Sequence, residues 1–537
     1  MFPFEQIITK FLEFCLVSLL GGVALAVALR LSGRRWTWAW LGLPLAWAIA
    51  RVSPLLAAVD ASVSVIGCFV GVLWHAADLA EGADRAAAAR ARLGISGAVR
   101  RAVKLRQIAQ RGWVNEGRLT MGHDRHRRPV SIPVKDGAGK HTLIVGATGS
   151  GKTVSEAWIA SRLIRHGHGA VAIDPKGDGM LREQLKRAAE AAGREFLEWT
   201  PSGPCAYNPY AYGEDSEIAD KALSGEVFTE PHYLRLTQRY LGHAVRAMRA
   251  AEIQVTPASL MAHLDPDRLE LTGRGLGEEQ AGIVQAYLDS LGDRGRRDLA
   301  GARDRLSILV ESDIGRWLDP VGAQAIDLRA AIESRAVVYF ALESDRLPLL
   351  TQMLGAAIIS DLVVVSSYYQ NDPVETVVLI DEFSAIGASH VARLFGRARG
   401  AGMSMVLATQ EFADLRAAGQ AVREQVVGNL DTLIAHRQNV PASAQLVAEV
   451  AGLKPGWVTT QGTEAGLLGH RASGRGTRRR DYAFEVHTDV IQRLGVGEAV
   501  VVRADGTPRA VLARMCRPGQ VPNELSYPVP TQVRNIW

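Results

Sequence analysis

One eight-residue stretch carries the densest chemistry in this 537-residue chain: Gly146-Ala147-Thr148-Gly149-Ser150-Gly151-Lys152-Thr153. A short apolar run, Thr142 to Val145, precedes it, and Val154 to Arg165 comes after it with helical character. Strand, glycine-rich loop and helix form the setting in which G-x-x-x-x-G-K-[ST] cradles phosphate. The glycines let the backbone curl so that successive N–H groups face phosphate oxygens. The helix N-terminus adds partial positive charge. Lys152 would reach the β- and γ-phosphates and the Thr153 hydroxyl would hold Mg²⁺, so ATP and Mg²⁺ are the expected ligands.

Further along, Thr376-Val-Val-Leu-Ile-Asp-Glu382 is an apolar run that ends in two carboxylates. Downstream of a P-loop, Asp381 is expected to hold Mg²⁺ through its water shell and Glu382 to polarise the attacking water. A third apolar run, Met403 to Ala408, ends in Thr409-Gln410. Gln410 would sense the γ-phosphate or position the water; the alternative is a pair that merely caps a strand. Asp174, at the end of Gly169-Ala-Val-Ala-Ile-Asp, either orients Lys152 or a water, or stabilises the turn after it. Arg397 and Arg399 lie in Phe395-Gly-Arg-Ala-Arg-Gly-Ala-Gly402. An arginine there could reach a neighbouring subunit's ATP, the alternative being a solvated helix end.

Strands must bring these groups together. Apolar runs alternate with helical periods on both sides of residues 212–326, which predicts a mostly parallel sheet with helices on both faces. In such sheets ligands bind at the carboxyl ends of the strands. The expected fold is therefore α/β: a RecA-like P-loop NTPase domain, its two parts being residues 118–211 and 327–515. Helical periodicity dominates 212–326 and predicts an inserted all-α domain. Residues 516–537 read as an extended tail. Gly462 to Arg480 has no apolar period and carries Arg471, Arg475 and Arg478 to Arg480, so it reads as a flexible basic loop, DNA-facing or merely superficial.

Residues 1–80 read as a transmembrane region. Phe14–Leu29 and Leu55–His75 are long and apolar. Trp36, Trp38, Trp40 and Trp47 between them suit an interfacial belt. Two spans, or three if the tryptophan stretch also crosses, are both compatible with this pattern. The net charge of +5 says little, but twelve Lys/Arg against two acids between Arg85 and Arg128 form a basic stem over 81–117 and beyond. That block suits lipid headgroups or nucleic acid, and the positive-inside rule places the chain after residue 80 in the cytoplasm. Four scattered cysteines suggest neither a metal site nor a disulfide framework.

Taken together, His141-Thr-Leu-Ile-Val-Gly-Ala-Thr-Gly-Ser-Gly-Lys-Thr, Ile173-Asp-Pro-Lys-Gly, Tyr207-Asn-Pro, Leu379-Ile-Asp-Glu-Phe, Ala408-Thr-Gln and Gly428-Asn-Leu resemble the coupling proteins of type IV secretion and bacterial conjugation. These are the TraG/TraD kind within the FtsK–HerA group of motors. The resemblance implies a homo-hexameric ring on the bacterial inner membrane that uses ATP to move DNA, usually single-stranded with its attached relaxase, to the secretion channel. It also implies Lys152 and Thr153 as Walker A residues, Asp381 and Glu382 as the Walker B pair, Gln410 as γ-phosphate sensor and Arg399 as a finger acting in trans. The helical insertion would face DNA and substrate. A long acidic C-terminal tail, by which some members dock relaxosome proteins, is not seen, so docking by such a tail is not expected. Two other jobs fit the same ATPase core. One is an FtsK-like DNA translocase, although its usual long linker and winged-helix module are not found. The other is a receptor that docks protein effectors, with ATP as an assembly switch.

Overall fold

The computed structural model describes residues 3–31, 36–81, 113–134, 139–225, 230–413, 415, 419–466, 469–505 and 509–518. It forms two compact units: residues 1–100 with 457–479, and residues 101–456 with 480–537.

The larger unit is built on a sheet with twelve strands among the described residues. Seven of them run parallel, side by side in the order Thr432–Ala435, Thr142–Val145, Met403–Thr409, Thr376–Ile380, Gly169–Asp174, Val337–Ala341 and Phe196–Trp199. Beyond Thr432–Ala435 the sheet continues antiparallel through Glu498–Arg503, Ala510–Met515 and the hairpin Arg118–His123/Pro129–Pro133. The central strands are short continuous apolar runs because both faces are covered. The pleat divides them between two cores. Leu143, Val145, Val378 and Ile380 face the core completed by the helices Pro348–Tyr368, Ala388–Ala398 and Pro441–Ala451. Ile144, Val377 and Leu379 face the one completed by Lys152–Arg165 and Gly179–Ala191. Pro348–Tyr368 is long and apolar enough to cross a membrane, but most of it is buried against this sheet.

The chain leaves the sheet after Phe196–Trp199 and rejoins it at Val337–Ala341; in between, Ala206–Tyr207 and Ala325–Ile326 pair parallel as a separate two-stranded sheet. Between them the regular elements are helical, and the main ones enclose a core of their own around Tyr240, Leu241, Leu260, Leu269, Leu288 and Leu306. Helical periods over 278–290 and 299–312 predict two helices, and two are found: the run Glu278–Val310 is divided by the non-helical Gly292 (φ 60°, ψ 177°). The Tyr207-Asn-Pro stretch anchors this base. Tyr207 Oη donates to Asp361 Oδ2 (2.8 Å) on the helix Pro348–Tyr368, and Asn208 Nδ2 donates to the Val255 carbonyl (2.8 Å). Lys221 forms a buried ion pair with Asp361 and also donates to the carbonyls of Pro209 (3.1 Å) and Tyr212 (2.6 Å).

Gly462 to Arg480 corrects the sequence-based expectation. The stretch is not a flexible loop: strands Leu453–Gly466 and Gly469–Phe484 pair as a two-stranded sheet. The two strands carry no alternation of apolar residues, so the period-two signal is absent from the sequence. The side chains of Arg471, Arg475, Arg478 and Arg479 lie outside the described residues, as do most of the basic stem and the tail from residue 519.

In the smaller unit, the helices Pro3–Leu31 and Pro54–Glu81 pack against each other and are long and apolar enough to cross a membrane. Their contact is made at glycines. A Cβ on Gly22 would come within 2.4 Å of Ile66, and one on Gly67 within 3.4 Å of the Gly22 carbonyl. Small residues of this kind let helices approach closely where no hydrophobic effect drives them together. The tryptophan stretch folds as a 3₁₀ turn, Trp36–Leu41, and an eight-residue helix, Gly42–Ile49. At 1.5 Å per residue that helix spans roughly 12 Å, well short of a bilayer core.

Candidate active site

Parallel register brings the sequence motifs to one edge. Val145 pairs with Thr409, and Ile380 pairs with both Leu407 and Ile173. The P-loop, Gln410, Asp381 and Asp174 therefore all emerge at the carboxyl ends of neighbouring strands. The loop is held on three sides. Gly146 N donates to the Thr409 carbonyl (3.2 Å), Ala147 N to the Arg437 carbonyl (2.9 Å), and the Ser150 carbonyl accepts from Gly497 N (3.0 Å). Gly149 and Gly151 have φ of 76° and 108°, a region open to glycine at little cost. A Cβ at Gly146 would strike Ser150 Oγ (2.6 Å) and His436 Cβ (2.7 Å). Thr148 Oγ1 donates to Gln410 Oε1 (3.3 Å), which joins the sensor position to the loop.

Lys152 opens the helix Lys152–Arg165, and its ammonium is gripped by carboxylates. It is hydrogen-bonded to Asp381 Oδ1 and lies 3.7 Å from Glu156 Oε1 and 3.8 Å from Glu382 Oε2. Burial works against its charge, but Glu156 and Asp381 outweigh burial and raise its pKa. Burial pushes the Glu382 carboxyl up, yet the ammoniums of Lys152 and Lys176 and the Ser384 hydroxyl hold it below the usual range, so it stays ionised. Glu382 accepts from Lys176 Nζ (3.3 Å), Ser384 Oγ (3.0 Å) and Thr409 Oγ1 (3.3 Å), with the backbone at φ 40°, ψ 52°. A non-glycine residue in the left-handed region is costly, and here three neighbouring groups hold its side chain. Glu156 is fully buried; burial, then Asp381, raise its carboxyl far above the ordinary value.

Asp174 takes the plainer of its two expected roles. Its carboxylate accepts from the backbone N–H groups of Lys176 (2.9 Å), Gly177 (2.8 Å) and Asp178 (2.6 Å), and from Tyr339 Oη (2.7 Å). It shapes the Asp-Pro-Lys-Gly turn, and the turn aims Lys176 at Glu382. The sequence singles out that motif without assigning Lys176 a task. Glu156, one helical turn after Lys152, is legible in principle as an i,i+4 partner. His436 has no local signal at all. It is buried behind the loop, with Nδ1 donating to the Glu498 carbonyl (3.0 Å) and Nε2 accepting from Ser155 Oγ (2.9 Å). Burial lowers its pKa to about 4.

Arg399 is not at this site. It lies at the opposite edge, ahead of the seven-residue strand Met403–Thr409 whose far end carries Gln410. At 3.3 Å per residue that places it roughly 23 Å from its own P-loop. Its guanidinium donates to the Asn429 carbonyl (2.9 Å) and to Asp431 Oδ2 (2.9 Å), and it remains more than a third exposed. The Gly428-Asn-Leu stretch thus serves Arg399. His141, buried beside it, accepts from Met405 N (3.3 Å) and bonds the Phe395 carbonyl (3.1 Å).

The donor set at the carboxyl edge fits Mg²⁺. Thr153 and Asp381 supply hard oxygens, and an ion of this kind takes one or two protein ligands, with water and phosphate completing its shell. Among the described residues no cluster of three or more His, Cys, Asp or Glu would hold a metal without such help.

Comparison with known proteins agrees with this fold. Residues 114–180 match the family model described as "Helicase HerA, central domain", and residues 375–486 match "TraM recognition site of TraD and TraG". Among solved structures, the bacterial conjugative coupling protein TrwB, lacking its first seventy residues, superposes with a TM-score of 0.54 at 16% identity, covering 79% of this chain and 92% of that one. TrwB in complex with ADP and Mg²⁺ gives 0.52 at 17%, covering 78% and 94%. VirB4 of Thermoanaerobacter pseudethanolicus gives 0.50 at 13%, covering 75% and 97%. No curated protein matches the chain significantly. The class of fold these findings define is a RecA-like P-loop NTPase, in which residues 114–180 are similar to the HerA central domain. Within it, residues 375–486 are similar to a segment of TraD and TraG, and the fold is similar to that of the conjugative coupling protein TrwB.

Proposed function

We propose that the chain is a membrane-anchored ATPase that couples ATP hydrolysis to delivery of DNA, single-stranded and with bound relaxase, to a type IV secretion channel. The observation that carries this reading is the division of charged groups between the two sheet edges. Lys152, Asp381, Glu382 and Gln410 converge at the carboxyl edge, while Arg399 is held at the amino edge, out of reach of its own loop. A neighbour's Arg399 would complete each site, which calls for a ring; a homo-hexamer is the form the family resemblance implies.

Thr153 and Asp381 would hold Mg²⁺, which supplies charge neutralisation at the β- and γ-phosphates. The loop N–H groups and Lys152 bind and orient the triphosphate. Phosphate oxygens compete with Asp381 for the Lys152 ammonium, which frees that carboxylate for its ligand role. Glu382, kept ionised, accepts the proton of the attacking water, and Thr409 and Ser384 fix its orientation. Gln410, hydrogen-bonded to Thr148 of the loop, reports on the γ-phosphate position. The arginine in trans stabilises charge on the transferring group. The two glycine-packed helices anchor the chain in the bacterial inner membrane as a two-span hairpin, with the tryptophan stretch at the far interface and the ATPase in the cytoplasm. The match to a TraM recognition site makes a relaxosome protein of that type a fitting partner of the ATPase unit.

The test is ATP turnover by the detergent-solubilised chain, with and without single-stranded DNA. Stimulation by DNA is expected in the wild type. Lys152→Ala is expected to abolish turnover while leaving membrane insertion intact, and turnover equal to wild type would sink the assignment. Effector binding with no response to DNA would instead favour the docking receptor.

A further inference from the structure

A cleft in the helical insertion has a lining that packing alone does not call for. It lies between Pro231–Ala250 and Glu278–Val310 and encloses about 570 Å³. His232, Arg235 and Arg239 line one wall; Tyr287, Arg294 and Asp298 line the other. The first three sit at i, i+3 and i+7, one face of a helix; of the second three, Tyr287 comes before the break at Gly292 and Arg294 and Asp298, at i and i+4, come after it. Facing stripes of two packed helices are ordinarily apolar. Lower down the same pair obeys that rule, with Leu241, Val245 and Leu288 in the core. Here the stripes turn cationic just where Gly292 breaks the helix with φ 60°, ψ 177°.

The cations are also held ready. The Arg239 guanidinium lies over the Tyr287 ring at 5.0 Å, and the His243 ring stacks on Tyr287 with centroids 4.0 Å apart and planes 15° apart. Burial keeps the Tyr287 phenol neutral, its pKa pushed up to about 12, and its hydroxyl is buried with no hydrogen-bond partner. Among the described residues neither Arg235 nor Arg239 has a carboxylate partner, while Arg294 has only Asp298, at 3.9 Å. Three guanidiniums against one carboxylate give the cleft a net positive lining. It asks for an extended polyanion with spaced acceptor oxygens.

We propose that this cleft binds the phosphodiester backbone of single-stranded nucleic acid, with Arg235, Arg239 and Arg294 as the phosphate contacts. The proposal rests on the DNA-motor reading and adds to it where the strand is held. Since the cleft is remote in sequence from the P-loop, changes there should leave ATP turnover without DNA untouched.

The experiment uses the full chain in detergent, a labelled oligo-dT as probe, and anisotropy titrations over a range of salt. Arg235→Ala/Arg239→Ala is expected to bind at least about tenfold more weakly. Its log–log salt slope should fall by about 1.4, that is, about 0.7 for each lost phosphate contact on a single strand. Basal ATP turnover should match wild type, and stimulation by the oligonucleotide should be lost. Arg294→Gln alone should lower the slope by about 0.7 and guards against a misfolded double variant. Wild-type binding with variants unchanged within about twofold in affinity and slope would overturn the cleft assignment and leave the motor reading standing. A wild type that neither binds nor responds to the oligonucleotide would overturn both. Displacement of the oligonucleotide by poly-glutamate at equal charge concentration would assign the cleft to acidic polypeptide instead.

Discussion

His436 stands between the P-loop helix and the strand Glu498–Arg503 as a neutral ring, its tautomer set by the Glu498 carbonyl on one side and the Ser155 hydroxyl on the other. In the unfolded chain this imidazole takes up a proton below about pH 6.5, while in the folded chain it does so only near about 4. Between those values the unfolded state binds more protons, so stability falls as pH falls. The gap corresponds to roughly 3 kcal/mol by pH 4 for this one group. A thermal midpoint that drops steeply from pH 6.5 toward 4, and drops less in His436→Gln, is the expected result. The Glu382 pKa is lowered as well, but for a carboxyl that keeps the charge where for His436 it removes it, and the role proposed for Glu382 is chemical. Glu382→Gln should keep nucleotide affinity while losing on the order of 10²- to 10⁴-fold in turnover, the usual share of a general base. Nucleotide binding and single-turnover hydrolysis measured on the same sample separate the two effects.

At the scale of elements, the insertion is joined to the sheet through a buried charge. Lys221 and Asp361 are both almost fully inaccessible, and Tyr207, Pro209 and Tyr212 satisfy their remaining hydrogen bonds. Removing one partner leaves the other charge stranded, which costs about 3–5 kcal/mol, whereas an apolar pair of similar volume is often neutral. Asp361→Ala should therefore unfold at clearly lower denaturant, and Lys221→Met/Asp361→Leu should recover most of the loss. The helix Pro348–Tyr368 that carries Asp361 is legible in the sequence as a long apolar helix, but its place is not. Its composition alone equally suits a membrane span, and only the sheet beneath it decides. The strands around the P-loop are legible to within a residue or two because continuous apolar runs bounded by turn residues admit few readings. The hairpin from Leu453 to Phe484 is not, because its strands carry no apolar period to read.

At the scale of the whole molecule, the proposed ring gives Arg399 its task. Within one subunit it pairs with Asp431 at the amino edge of the sheet, and an arginine acting in trans is worth about 10³-fold or more in turnover. Arg399→Ala should lose that much, as should Lys152→Ala. Mixed oligomers of the two variants should regain turnover, because an intact loop in one subunit then meets an intact arginine in its neighbour. Failure of the mixture to exceed either parent would remove Arg399 from the site.

The sequence by itself determined the chemistry: a phosphate loop, two carboxylates and a glutamine, each at the end of an apolar run, with enough spacing to imply a parallel sheet. Those signals are local, since a glycine turn or a buried strand is dictated by neighbouring residues. Tertiary structure decided which groups meet. Lys176 against Glu382, His436 behind the loop and three arginines facing one cleft are contacts between residues distant in sequence. No local pattern encodes such contacts, because they depend on register and helix placement that only the packed fold supplies.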